Sequence, residues 1–115
     1  MIKVRKLDES DLGFAKLLTD AEEWGNSIED WNRLYNISLP IGAYDEGKLV
    51  GVTTAFDYDK IGMIGNVLVS EKYRGMKIGS KLVKEAMKRL ESCDTVRVHS
   101  TMESASFYKK LGFIA

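Results

Sequence analysis

Residues 74–80 read Arg-Gly-Met-Lys-Ile-Gly-Ser, two glycines and two cations at the mouth of a helical pattern. Such a segment is suited to holding a diphosphate. Glycine lets backbone approach a ligand closely, and the first N–H groups of a helix have no partner within it. Those groups lie at the positive end of the helix dipole, where an anion is favoured by about 0.3–1 kcal/mol. Arg74 and Lys77 add full charges at the same place. Two other phosphate-binding patterns do not fit. A P-loop has four residues between its glycine and a Gly-Lys-Ser/Thr, whereas Gly75 and Gly79 are one residue too close and Ser80 precedes Lys81. The Gly-x-Gly-x-x-Gly dinucleotide fingerprint fails on spacing and on its place in the chain. An ordinary loop before a glycine-rich helix start remains the alternative.

The elements that must position this segment follow from periodicity. Ile2–Leu7 alternates apolar and basic residues, the pattern of a half-buried strand. Asp8 offers a side-chain cap, with Asp11 in the first turn of a helix whose inner stripe is Leu12, Ala15 and Leu18, with Leu17 beside them, running to about Ala21. Asn26-Ser27 caps a second helix with Ile28, Trp31, Leu34 and Tyr35 on one face, ending before Pro40. Ile41–Tyr44 and Leu49–Phe56 flank a turn in which Gly47 takes positive φ. Met63–Val69 is a nearly continuous apolar strand, with Gly62, Gly65 and Asn66 signalling a bulge or a close backbone approach. From Ile78 the period becomes helical: Ile78, Leu82, Val83, Ala86, Met87 and Leu90 form one stripe. Thr95–Ser100 alternates as a strand, and Ser104–Leu111 is a last helix stopped by Gly112, with a further strand barely begun at Phe113. The predicted order is β-α-α-β-β-β-α-β-α, with the C-terminal strands short or missing. This is an α+β fold, three layers (α/β/α) around a mixed, mainly antiparallel sheet.

A chain of 115 residues, 44% hydrophobic and 30% charged, makes one domain spanning 1–115. No apolar stretch approaches a membrane span, and Met1 leads straight into Ile2-Lys3-Val4-Arg5 without a signal pattern, so a cytoplasmic location is expected. One cysteine, Cys93, and one histidine, His99, exclude a disulfide and argue against a metal centre. Cys93 reads as a packing residue. Lys+Arg and Asp+Glu number 17 each, which disfavours nucleic-acid binding. Basic residues nonetheless concentrate from Lys72 to Arg89, a local patch that suits a small polyanion or is simply a solvated helix face.

Tyr73-Arg74-Gly75-x-x-Ile78-Gly79-Ser80 resembles the acetyl-CoA-binding segment of the GCN5-related N-acetyltransferases (GNAT family), whose pattern is Arg/Gln-x-x-Gly-x-Gly/Ala. A second segment, Ala105-Ser106-Phe107-Tyr108-Lys109-Lys110-Leu111-Gly112-Phe113, is similar to that family's last helix and its exit. One helix and one strand separate the two, as the family requires. Lys77 stands at the family's middle glycine, where a lysine is expected to be tolerated on a negative φ while adding a phosphate-binding charge. Met102 stands where the family often has asparagine, and no carboxylate lies near Met63, where many members carry a glutamate base.

The resemblance implies an enzyme that moves an acetyl group from acetyl-CoA to a primary amine. A non-catalytic acyl-CoA-binding sensor or interaction module of the same fold is the alternative. Cofactor-binding residues implied by the match are Val67, Leu68 and Val69, whose backbone would bind the pantetheine arm, with Arg74, Gly75, Met76, Lys77, Ile78, Gly79 and Ser80 around the diphosphate. Tyr108 matches the proton donor to the leaving thiolate. The base is open; His99 is the first candidate and Glu103 a weaker one. Trp24, Trp31 and Tyr35, with acidic neighbours, are expected to hold a small-molecule or peptide amine, although Trp31 and Tyr35 at helical spacing also fit a core. A short C-terminal end leaves room for a homodimer to complete the sheet.

Overall fold

The computed structural model describes residues 2–21, 27–98 and 105–113. In chain order these form β1 (Ile2–Lys6), a 3-10 turn (Glu9–Asp11), α1 (Leu12–Ala21), α2 (Ile28–Ile37), β2 (Leu39–Asp45), β3 (Lys48–Tyr58) and β4 (Ile61–Val69). A second 3-10 turn (Glu71–Tyr73), α3 (Ile78–Arg89), β5 (Thr95–Val98) and α4 (Ala105–Lys110) follow. The predicted order of elements is the observed one. The strands lie in sequential order in one sheet, antiparallel from β1 through β4. β5 is parallel to β4, because α3 carries the chain back across the sheet between them.

Side chains alternate along a strand, so each face of the sheet buries its own set. On one face Ile41, Ala43, Val50 and Ile64 meet Ile78, Leu82, Val83, Ala86 and Leu90 of α3, together with Tyr108. On the other, Tyr44, Leu49, Val52 and Leu68 meet Leu12, Ala15 and Trp31 from α1 and α2. Three layers result. Gly51 permits a close seam, since a Cβ there would stand 3.1 Å from Leu82 Cδ1 and 3.2 Å from the Leu68 carbonyl. The β2–β3 hairpin turns on Glu46 (φ 51°) and Gly47 (φ 82°), both left-handed, as a two-residue turn matched to strand twist demands.

Two local expectations are corrected. Asp8 stands at the helix entrance but makes no side-chain cap. Its carboxylate pairs with Arg5 at 3.1 Å, while Asp11 accepts the Tyr44 hydroxyl proton at 2.8 Å. On α1 the fully buried stripe is Leu12, Ala15 and Thr19, Leu18 packs partly buried against the same core, and Leu17 is 61% exposed. Thr19 is tolerated inside because its hydroxyl donates to the Lys16 carbonyl at 2.9 Å and accepts the Trp31 indole N–H at 3.2 Å. Among the described residues no helix is long and apolar enough to cross a membrane.

Candidate active site

α2 and α3 begin in opposite ways. At α2, Ser27 Oγ accepts the Asp30 N–H at 3.1 Å and Asp30 Oδ2 accepts the Ser27 N–H at 2.9 Å, a closed capping box. Those bonds hold the Asp30 carboxyl below its ordinary range. At α3 the residue before the helix is Lys77, which makes no side-chain cap, and the first turn contains no acid. Lys81 N–H reaches back to the Lys77 carbonyl at 3.2 Å. The N–H groups of Ile78, Gly79 and Ser80 are therefore left without helical acceptors, facing a pocket of about 310 Å³.

The loop that presents this helix end is tied down at both sides. Ser70 N–H donates to the Val50 carbonyl at 2.8 Å, and the Tyr73 hydroxyl donates to Asp45 Oδ2 at 2.8 Å. That bond to a carboxylate, with partial burial, raises the Tyr73 phenol above its ordinary value. Arg74 Nε donates to the Val69 carbonyl at 3.2 Å, which places the guanidinium at the pocket rim. Gly75 sits at φ 83°.

Lys77 overturns one expectation. It sits at φ 62°, ψ 22°, in the left-handed region, not on a negative φ. The chain needs a left-handed residue to swing into α3, and a side chain there costs about 1–2 kcal/mol. The conformation is the one a glycine would take freely, at the very position where the resemblance expects one.

Of the residues singled out from sequence, Val69, Arg74, Gly75, Lys77, Ile78, Gly79 and Ser80 line one pocket. Ile78 contributes backbone only, its side chain being 1% exposed in the core. Met76 does not line this pocket and is 54% exposed; Leu68 is buried against α1 and α2. Phe107, which sequence reasoning passed over, forms the far wall. The only signal for it was its place in the matched segment around Tyr108.

β4 carries the anticipated bulge. Val52 pairs with Leu68 and Thr54 with Gly65, so three steps on β4 oppose two on β3. The β4–β5 ladder runs from Ile61↔Thr95 to Ile64↔Val98. Among the described residues, Val67, Leu68 and Val69 have no partner on β5.

Tyr108 is 8% exposed, edge-on to Phe107 (5.0 Å between centroids) and to Phe113 (5.9 Å). Burial pushes its phenol above the ordinary value, so it holds its proton at neutral pH. His99, Met102, Glu103 and Trp24 lie outside the described residues. Trp31 is fully buried with its indole N–H spent on Thr19, which corrects its placement among amine-binding residues: it is a core residue. Tyr35 is partly buried against the same core, with the Lys6 ammonium 5.4 Å from its ring centroid. Cys93 is partly buried, and burial with the neighbouring Asp57 carboxylate raises its thiol, the opposite of a reactive cysteine.

A sequence model described as the acetyltransferase (GNAT) family matches residues 3–113. The chain is 29% identical, over 132 aligned positions, to glucosamine 6-phosphate N-acetyltransferase of Trypanosoma brucei brucei, covering 99% of this chain and 90% of that protein. A crystal structure of glucosamine-6-phosphate N-acetyltransferase from Arabidopsis thaliana superposes with a TM-score of 0.82 at 25% identity, covering 100% of this chain and 92% of that one. An aminoglycoside N-acetyltransferase solved in complex with CoA superposes at 0.84 with 12% identity, covering 100% and 89%, a likeness of fold.

Proposed function

The chain belongs to the acetyltransferase (GNAT) family, whose acetyl donor is acetyl-CoA, and from that premise we propose direct transfer of acetyl to a primary amine. The observation that carries this reading is the open start of α3. Three backbone N–H groups and two cations, Arg74 and Lys77, converge where a diphosphate would supply the missing cap. The backbone of Val67–Val69 lies next in line along β4 and would hold the pantetheine arm. A backbone N–H aimed at the thioester oxygen stabilises the charge that develops there by roughly 3 kcal/mol.

In the proposed step the amine lone pair attacks the thioester carbon, the C–S bond breaks, and the thiolate takes a proton from Tyr108. A phenol raised above ~10 gives its proton to a thiolate whose acid form lies near ~8.5 at a cost of a few kcal/mol, which the forming amide bond offsets. The proton lost by the amine passes to a base, for which His99 is the proposed residue, directly or through water.

For the acceptor, the relatives' names make glucosamine 6-phosphate the first amine to assay. Support comes from a groove of about 370 Å³ beside Val69, where Lys48, Lys72 and Arg74 face one acid, Glu71. That surplus of cations fits an amine that carries a phosphate. Trp24 and Tyr35 are retained as acceptor contacts.

Two measurements test the reading. At one hundred times Kd, acetyl-CoA should stabilise the protein by about 2.7 kcal/mol, seen as a rise in Tm on the order of 10 °C. Glucosamine 6-phosphate, or another amine in a panel of sugars, polyamines and peptides, should release CoA thiol. A Tm rise without thiol release would replace the enzyme by an acyl-CoA-binding module, and no rise would remove the reading altogether.

A further inference from the structure

Thr53 and Thr54 are neighbours on β3, yet both donate their hydroxyl protons to the same acceptor, the Gly65 carbonyl, at 2.9 and 3.0 Å. Successive strand residues point to opposite faces, so the two hydroxyls reach that oxygen from the two sides of the sheet. This is possible only because the ladder is broken there. The register between β3 and β4 slips within Val52–Thr54, and Gly65 is the last residue of β4 paired before the slip. Both threonines are buried, at 1% and 0% exposure. Losing either hydroxyl would remove one of the two donors that hold this part-buried carbonyl.

We propose that Thr53 and Thr54 are positioning residues that lock the β4 bulge and so aim the backbone of Val67–Val69 at the acyl arm; this rests on the acetyl-transfer reading above. A bulge frees the strand to twist. Two bonds on one carbonyl remove that freedom and fix the direction in which the following N–H groups point. Misdirection of a catalytic N–H by about 1 Å is enough to lower turnover by about 100-fold. The clamp acts on the reacting end of the arm and leaves the loop at residues 74–80 untouched.

The test compares Thr53→Val and Thr54→Val, which keep shape and remove the hydroxyl, with Thr53→Ser and Thr54→Ser, which keep it. With the best amine found, each valine variant should lose at least tenfold in kcat, while its Kd for free CoA stays within about threefold of wild type. The serine variants should recover most of kcat. A structural role alone would lower Tm and leave kcat of the folded fraction unchanged, and that result would overturn the proposal. Amide hydrogen exchange at Val67–Val69 reads the clamp without any turnover: faster exchange in the valine variants than in the serine variants is expected, and equal rates would reject it. If wild type releases no thiol, the enzyme reading fails, and the exchange measurement still decides the clamp.

Discussion

A Cβ added to Gly79 would stand 3.4 Å from Cζ of Phe107 and 3.7 Å from its Cε1. The start of α3 and the aromatic ring of α4 are thus fitted face to face, and together they bound the proposed nucleotide pocket. Gly79→Ala sets two effects in opposition. Alanine favours the helix by up to about 1 kcal/mol, while its methyl obliges Phe107 to shift by a few tenths of an ångström. Gly79→Leu places a whole side chain at that wall. Stability of the alanine variant should equal or exceed wild type, whereas acetyl-CoA affinity of the leucine variant should fall at least tenfold, about 1.4 kcal/mol. Calorimetric titration of both variants decides it; an unchanged Kd for Gly79→Leu would place the nucleotide elsewhere.

Lys77→Gly should stabilise the fold. The left-handed lysine costs about 1–2 kcal/mol, and glycine returns part of that gain through the greater freedom of the unfolded chain, about 0.5–1 kcal/mol. The net expectation is a gain of about 0.5–1 kcal/mol in urea unfolding. Lys77→Ala keeps the strained backbone and should show no gain. Both variants lose the cation, so both should bind acetyl-CoA more weakly, by a few-fold. A destabilised glycine variant would mean that the lysine side chain holds the turn.

Tyr108→Phe removes the proposed proton donor and keeps the ring that packs between Phe107 and Phe113. Turnover should drop by about 10²–10⁴-fold while free CoA binds within about twofold of wild type. Because burial raises this phenol, its deprotonation belongs above pH ~10. A wild-type kcat that fell between pH 7 and 9 would have to be assigned to another group.

Tyr44 links stability to pH on the other side of the sheet. Its phenol is pushed up to about 12, first by burial and then by the Asp11 carboxylate that accepts its proton, against the opposing pull of the Asp8 N–H. The folded state therefore holds the proton more tightly than the unfolded chain, whose tyrosine titrates near 10. The stabilisation is fully present below pH ~10 and is lost as pH rises from about 10 to 12, amounting to about 2 kcal/mol. Denaturation at pH 9 and pH 11 should show the loss in wild type and a smaller one in Tyr44→Phe.

Much of this was legible in the residues themselves. Alternation at Ile2–Leu7, the stripe from Ile78 to Leu90 and the turn at Gly47 are local signals, set by neighbours a few positions away, and they give the order of elements without a structure. The glycine–cation segment at 74–80, on which the proposed ligand chemistry rests, is likewise local, because a helix start and its charges lie within one stretch of chain. Positions decided by distant partners were not legible. The burial of Thr19 on the inner face of α1 depends on Trp31, twelve residues on, which donates its indole N–H to the threonine hydroxyl. Trp31 looked available to a substrate until the sheet closed over it.

Sequence alone therefore determined the α+β layering and the glycine-and-cation composition of the β4–α3 loop on which the proposed diphosphate site rests, since period and composition are local. Tertiary structure decided the rest: the left-handed backbone of Lys77, the wall supplied by Phe107, and the convergence of Thr53 and Thr54 on one carbonyl. Each of these depends on where a second segment is held, and only the packing of helices on both faces of the sheet sets that.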